Sequence, residues 1–111
     1  MSDRIPPTPF RCDVTDVDGS IRIRPVGELD MSTVPTLEDA LKDARAAGHE
    51  LLVVDLRELD FMDSTGLTLL TRWSLGAERD GYALKLVAGS DRIQRLFELT
   101  RLITHFKFVD G

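Results

Sequence analysis

Apolar positions alternate at Phe10, Cys12 and Val14, and again at Ile21 and Ile23, the two-residue period of strands with one buried face. Asp18-Gly19 between the two runs is a strong two-residue hairpin signal, so the chain is expected to open with an antiparallel hairpin whose second strand runs towards Gly27. Pro25 has no N–H to give to a ladder, which predicts an edge or a bulge at that point. The period then lengthens. Val34, Leu37, Leu41 and Ala44 fall on one face of a helix over roughly residues 33–47, with Ser32 or Thr33 as its cap, Pro35 in its first turn and Gly48 at its end. The short run at residues 51–56, rich in strand formers, predicts a buried parallel strand. A loop follows, then a second helix on which Gly66, Leu69, Leu70, Trp73 and Ala77 share a face, stopping near Gly81. Residues 83–87 predict a strand, and Ser90 caps a third helix with Ile93, Leu96 and Phe97 on its buried face. Leu102 and Ile103 are expected to cover the core, and residues 106–109 to form a last strand.

Helices alternating with strands after a hairpin imply an α/β fold. The expected sheet is mixed, of about four to five strands, mostly parallel and joined by right-handed crossovers. Loops that carry function in such sheets leave the carboxyl ends of the parallel strands. The turn at Asp30 and the loop before the second helix are therefore expected to share one edge. Residues 1–9, with Pro6, Pro7 and Pro9, are expected to be a flexible tail, and residues 10–111 a single domain.

The junction at residues 59–70 carries the most chemistry. A helix start wants a short side-chain oxygen as its cap, and Asp63 or Ser64 supplies one. A serine at that place is exposed, and the free amides and positive dipole end of the helix favour an added phosphate. At about 100° per residue, Ser64, Leu67, Thr68, Thr71 and Leu75 fall away from the core face, with only Arg72 on their flank. Solvated helix faces usually carry several charges, so this near-neutral strip is expected to be a docking surface, with Leu67 on it. The plainer alternative is a capping serine beside ordinary exposed leucines.

Composition narrows the function classes. Of 111 residues, 19 are acidic and 14 basic, a balance that disfavours a generic nucleic-acid or anionic-membrane surface. The single cysteine, Cys12, excludes an internal disulfide and a multi-cysteine metal site, and its place on the apolar phase of a strand predicts a buried hydrophobe. No signal-peptide pattern or apolar run of membrane-spanning length occurs, so the protein is expected in the cytoplasm. An enzyme reading fares poorly. Asp63-Ser64-Thr65-Gly66 has one residue more than the Asp-Thr-Gly turn of aspartic proteases, and the helix-rich pattern opposes that all-strand fold. A nucleophilic serine needs a base, and neither His49 nor His105 stands in a suggestive context. No cofactor or metal is expected.

At Val26-Gly27-Glu28-Leu29-Asp30, and at Phe61-Met62-Asp63-Ser64-Thr65-Gly66-Leu67, the sequence resembles the STAS domain, specifically the single-domain bacterial anti-sigma factor antagonists. Leu96-Phe97-Glu98-Leu99-Thr100 resembles the third helix of that family, and the likeness covers nearly the whole chain from Phe10. The resemblance implies a partner switch. The unphosphorylated protein binds an ATP-dependent serine kinase that is also an anti-sigma factor, which frees the sigma factor. Phosphorylation of the serine matching Ser64 ends binding, and a metal-dependent serine phosphatase restores it. In some relatives threonine is the modified residue, so Thr65 is the second choice. The implied partner surface comprises Asp30, Asp63, Ser64, Thr65, Leu67, Thr68 and Thr71. STAS proteins also serve as subunits of lipid-transport assemblies and as parts of stress-signalling complexes, which is the alternative role. Two departures stand out: Arg101 occupies a place where relatives commonly have glycine, and the sequence stops at Asp110-Gly111 where relatives usually add a C-terminal helix, from which either a truncated chain or a less covered sheet face is expected.

Overall fold

Asp18 and Gly19 both take positive φ, 50° and 84°, which a type I′ hairpin turn requires, and they join β1 (Arg11–Val17) to β2 (Ser20–Leu29). The structure, a computed structural model, describes residues 9–111. The remainder of the tail expected over residues 1–9 lies outside the described residues. After the hairpin come α1 (Val34–Ala46), β3 (Leu51–Asp55), β4 (Leu59–Met62), α2 (Ser64–Asp80), β5 (Ala83–Val87), α3 (Asp91–Leu99), a 3-10 turn (Ile103–His105) and β6 (Lys107–Val109).

The sheet has the order β1-β2-β3-β5-β6, with β4 paired to β2 alone. Among the described residues only the β1–β2 pairing is antiparallel. Each step from β2 to β3, β5 and β6 moves the same way across the sheet, so right-handed crossovers put every intervening helix on one face. The core agrees. Ile21, Ile23, Leu52, Val54, Leu84 and Leu86 on that face join Leu37 and Leu41 of α1, Leu69 and Leu70 of α2, and Ile93 and Phe97 of α3 in one buried cluster. Phe97 packs edge-on against Phe106 and Phe108, with ring centroids 5.1 and 5.6 Å away. Cys12 packs half-buried at the margin of this core, and burial pushes its thiol up to about 11. Among the described residues no helix is long and apolar enough to cross a membrane.

Three differences from the sequence reading have physical causes. The sheet has six strands rather than four to five, because residues 59–62, read as loop, form β4. With four residues, buried only at its two ends, β4 shows no two-residue alternation and exists through its pairing with β2. Pro25 is not on an edge: β2 pairs with β3 through residues 21–23 and with β4 through residues 27–29, and Pro25 falls in the gap between them. A bulge does occur two residues on, at Gly27/Glu28. Lastly, Asp55 in the strand read as apolar is fully buried. Arg57 holds it with hydrogen bonds of 3.0 and 2.8 Å, and the guanidiniums of Arg24 and Arg22 lie 3.4 and 3.7 Å away. Burial alone would raise this carboxyl, but the Arg57 hydrogen bonds and the charges of Arg57 and Arg24 outweigh it and hold the group below its ordinary value. At Arg101 the chain keeps a left-handed turn, φ 60°, without the glycine that such a backbone favours.

Candidate functional site

β2 and β4 run parallel with Leu29 opposite Met62, so the next residues, Asp30 and Asp63, leave the sheet side by side. The Asp63 N–H donates to the Leu29 carbonyl at 3.2 Å and ties the two turns together. The expectation that these turns share an edge therefore holds.

Of the two candidate caps for α2, Asp63 is the one used. Its Oδ1 accepts from the N–H groups of Thr65 (2.9 Å) and Gly66 (3.3 Å) and from the Thr65 hydroxyl. Ser64 is thereby released from capping: it is the first helical residue, it is exposed, and its hydroxyl makes no hydrogen bond among the described residues. Gly66 is where α2 touches the sheet. A Cβ there would stand 2.8 Å from Leu29 Cδ2 and from Met62 Cγ, so only glycine lets the helix start this close to β2 and β4.

Asp30 is bound in a similar way. Its Oδ1 accepts from the Ser32 hydroxyl (2.7 Å), the Ser32 N–H (2.9 Å) and the Thr33 N–H (3.2 Å). The Ser32 hydroxyl is the main reason its carboxyl lies below the ordinary value; desolvation opposes this, and the two N–H groups and the Thr33 hydroxyl add to it. Thr33 is the cap residue of α1 but makes no capping bond with its own side chain, which instead donates to the Glu28 carbonyl at 2.7 Å.

Along α2 the expected docking strip is altered at one place. Ser64, Thr68 and Leu75 are exposed and Thr71 half-buried, but Leu67 is only 3 % exposed and belongs to the core. A single 100° wheel misplaced it, because the apolar face at the start of α2 is wider than one stripe. The segment after α3 closes over the flank, with Leu102 packed against the core. The result is a groove of about 520 Å³ between α2 and residues 100–102. Ser64 and Thr68 stand at one end, Leu67 is in its floor, and Arg72 and Arg79 are further along. The Thr68 and Thr71 hydroxyls donate to the carbonyls of Ser64 and Leu67 (both 2.8 Å), so their polarity is spent on the helix itself.

Two exposed apolar residues flank the edge and were not singled out from the sequence: Met31 after Asp30, and Phe61 on β4. An apolar side chain inside the polar turn Asp30-Met31-Ser32-Thr33 serves no core, and that was the available signal. Neither His49 nor His105 lines the groove at Ser64. Among the described residues no group of three or more His, Cys, Asp or Glu could hold a metal ion.

Known proteins share the family and the fold of this chain. The family model described as "Mlab, STAS domain" matches residues 12–109. The anti-sigma-B factor antagonist of Staphylococcus aureus is 38 % identical over 90 residues, which cover 81 % of this chain and 83 % of that protein. The crystal structure of an anti-sigma factor antagonist from Mycobacterium paratuberculosis superposes with a TM-score of 0.82 at 29 % identity, covering 93 % of this chain and 87 % of that one. The Bacillus anti-sigma factor antagonist SpoIIAA, in its unphosphorylated form, shares the fold with a TM-score of 0.72 at 21 % identity, covering 93 % and 90 % of the two chains.

Proposed function

The chain belongs to the STAS-domain family, and on that premise we propose that it is an anti-sigma factor antagonist whose partner binding is switched by phosphorylation of Ser64. In this reading the unphosphorylated protein binds a serine kinase that doubles as the anti-sigma factor. The kinase uses ATP to modify Ser64, and a metal-dependent phosphatase reverses the step. The protein is then a regulatory binding partner in the cytoplasm, not an enzyme.

One observation carries the choice of acceptor. The Ser64 hydroxyl is exposed and has no hydrogen-bond partner among the described residues, whereas the adjacent Thr65 hydroxyl is held by Asp63. A phosphate on Ser64 adds about −1.5 to −2 charge at the positive end of a helix, which accommodates it in the free protein. Asp63 and Asp30 already make this edge acidic. A partner seated over Ser64, Thr65, Thr68 and Thr71, with Leu67 as the groove floor, would have to desolvate that charge at a cost of several kcal/mol. The switch thus acts at the interface and leaves the fold in place.

The test is incubation with the purified cognate kinase and ATP, followed by intact-mass and site mapping. Wild type takes one phosphate on Ser64 and Ser64→Ala takes none; stoichiometric labelling of Ser64→Ala at Thr65 would move the acceptor. Phosphorylated and free forms melt alike and keep equal amide-exchange protection in β3, while kinase affinity differs at least about tenfold, or 1.4 kcal/mol. The alternative role of STAS proteins, a subunit of a lipid-transport assembly, makes a different prediction. Copurification with a transporter ATPase rather than a kinase would select it.

A further inference from the structure

All three helices lie on one side of the sheet, so among the described residues the opposite face has no helical layer. Mostly parallel sheets are ordinarily covered on both faces. Strand register shows what this bare face presents. One row crosses five strands as Thr15, Arg22, Val53, Lys85 and Lys107, with three cations and no acid; Val53 at its centre is itself buried, so what this row offers is the charged side chains around it. Strands lie about 4.8 Å apart, so Arg22 and Lys107, three strands from each other, are separated by roughly 15 Å. The neighbouring row contains Arg24 beside Asp13, and Asp55 beside Val87 and Val109.

The buried Asp55 organises the basic side chains of this face. It is a single negative charge held by Arg22, Arg24 and Arg57, whose side chains remain 26, 40 and 47 % exposed. Asp13, the other acid on these two rows, is bonded to Arg11 at 3.1 Å. Set against Asp55, and against Glu58 whose charge acts on Arg57, the cations Arg22, Arg24, Arg57, Lys85 and Lys107 leave a surplus of positive charge on one face of a protein whose net charge is −5. The acids of the switch edge, Asp30 and Asp63, lie at the carboxyl ends of the strands, away from these rows.

We propose that this helix-free face docks an acidic amphipathic segment of a partner protein, at a surface distinct from the Ser64 groove. Charge complementarity carries the assignment: an acidic helix laid across this face has carboxylates one or two turns apart, at 5.4 Å per turn, that reach the spaced cations of the row. A nucleic acid fits less well. The net charge opposes its approach, and Val109, half-buried at the margin, with the aliphatic stems of the arginines and lysines offers apolar contact that a phosphate backbone does not use. The surface is independent of Ser64, so either proposal can fail alone.

The experiment titrates the isotope-labelled full chain with three probes at one salt concentration. They are an amphipathic helical peptide with glutamates at one-turn intervals, the same peptide with lysines in their place, and a single-stranded oligonucleotide of matched charge. The glutamate peptide is expected to shift the amides of Arg22, Val53, Lys85 and Lys107 and to leave Ser64 and Thr68 unmoved. Lys107→Glu, at an exposed position, and Lys85→Gln/Lys107→Gln, which avoids placing a charge at the half-buried site, are each expected to weaken binding at least about tenfold with an unchanged melting temperature. Absence of binding by the glutamate peptide, equal affinity of the variants, shifts confined to the α2 groove, or tighter binding of the oligonucleotide would each overturn the proposal.

Discussion

At Asp30 and at Asp63 the chain makes the same turn twice, on adjacent parallel strands. In each, an aspartate Oδ1 takes the N–H groups two and three residues on and the hydroxyl two residues on: Ser32 and Thr33 in the first, Thr65 and Gly66 in the second. In each, the residue right after the aspartate is left outside, Met31 at the first turn and Ser64 at the second. In each, the N–H four residues on bonds back to the aspartate carbonyl, from Val34 at 2.8 Å and from Leu67 at 3.3 Å. The two diverge in where the helix begins. Ser64 already starts the 17-residue α2, whereas α1 does not begin until Val34. The projecting residue of the second turn therefore stands on a helix N-terminus and bears a hydroxyl, while that of the first turn is a methionine. One local design thus presents an exposed apolar residue at one turn and an exposed, dipole-facing serine at the other.

The comparison is most severely tested in the helix floors. Leu67→Ala is expected to cost about 2–5 kcal/mol, as a core truncation; Val34→Ala, at the half-buried counterpart, less than half as much. Urea unfolding measures both, and equal small losses would return Leu67 to the surface. Next in size is Gly66→Ala, expected to destabilise by about 1–3 kcal/mol through overpacking against Leu29 and Met62. Its counterpart Thr33 already carries a side chain, so a neutral Gly66→Ala would mean the two turns are equally open.

Asp63→Ala is expected to cost about 1 kcal/mol as a lost cap. It also frees the Thr65 hydroxyl, so in Ser64→Ala/Asp63→Ala kinase labelling emerges at Thr65, where Ser64→Ala alone shows none; site mapping decides. The smallest effect is at the first turn. The Asp30 carboxyl is held below its ordinary value of 3.8, so its stabilising contribution is complete above that pH and is lost as the pH falls through the lowered value. The melting-temperature gap between wild type and Asp30→Asn is therefore constant near neutrality and closes in acid. A gap that persists at the lowest accessible pH would assign the effect to packing.

Much of this was legible because local sequence and local physics coincide. Asp18-Gly19 specifies its turn through positive φ, the two-residue and helical periods mark the hairpin and three helices, and Gly81, with φ 77°, stops α2 where the sequence places the stop. The twin motifs at Asp30 and Asp63 could be recognised, and their common edge follows from the strand order. Spacing alone could not choose between Asp63 and Ser64 as the cap, since each has a short side-chain oxygen at a helix start.

What the sequence by itself determined is the hairpin, the three helices and the strands between and after them, in their order, together with the candidate residues, because hairpin turns, caps and amphipathic periods depend on neighbours a few positions away. Tertiary structure decided the rest. β4 is a strand only because β2, past its bulge, offers it an edge, and Pro25 sits in a central strand because β2 changes partners around it. Leu67 is buried because α2 starts against the sheet with an apolar face wider than one stripe. Asp55 stays charged in a buried strand because register brings Arg22 and Arg24 from β2 to meet Arg57. Burial and pairing of this kind depend on residues distant in the chain, and packing alone brings them together.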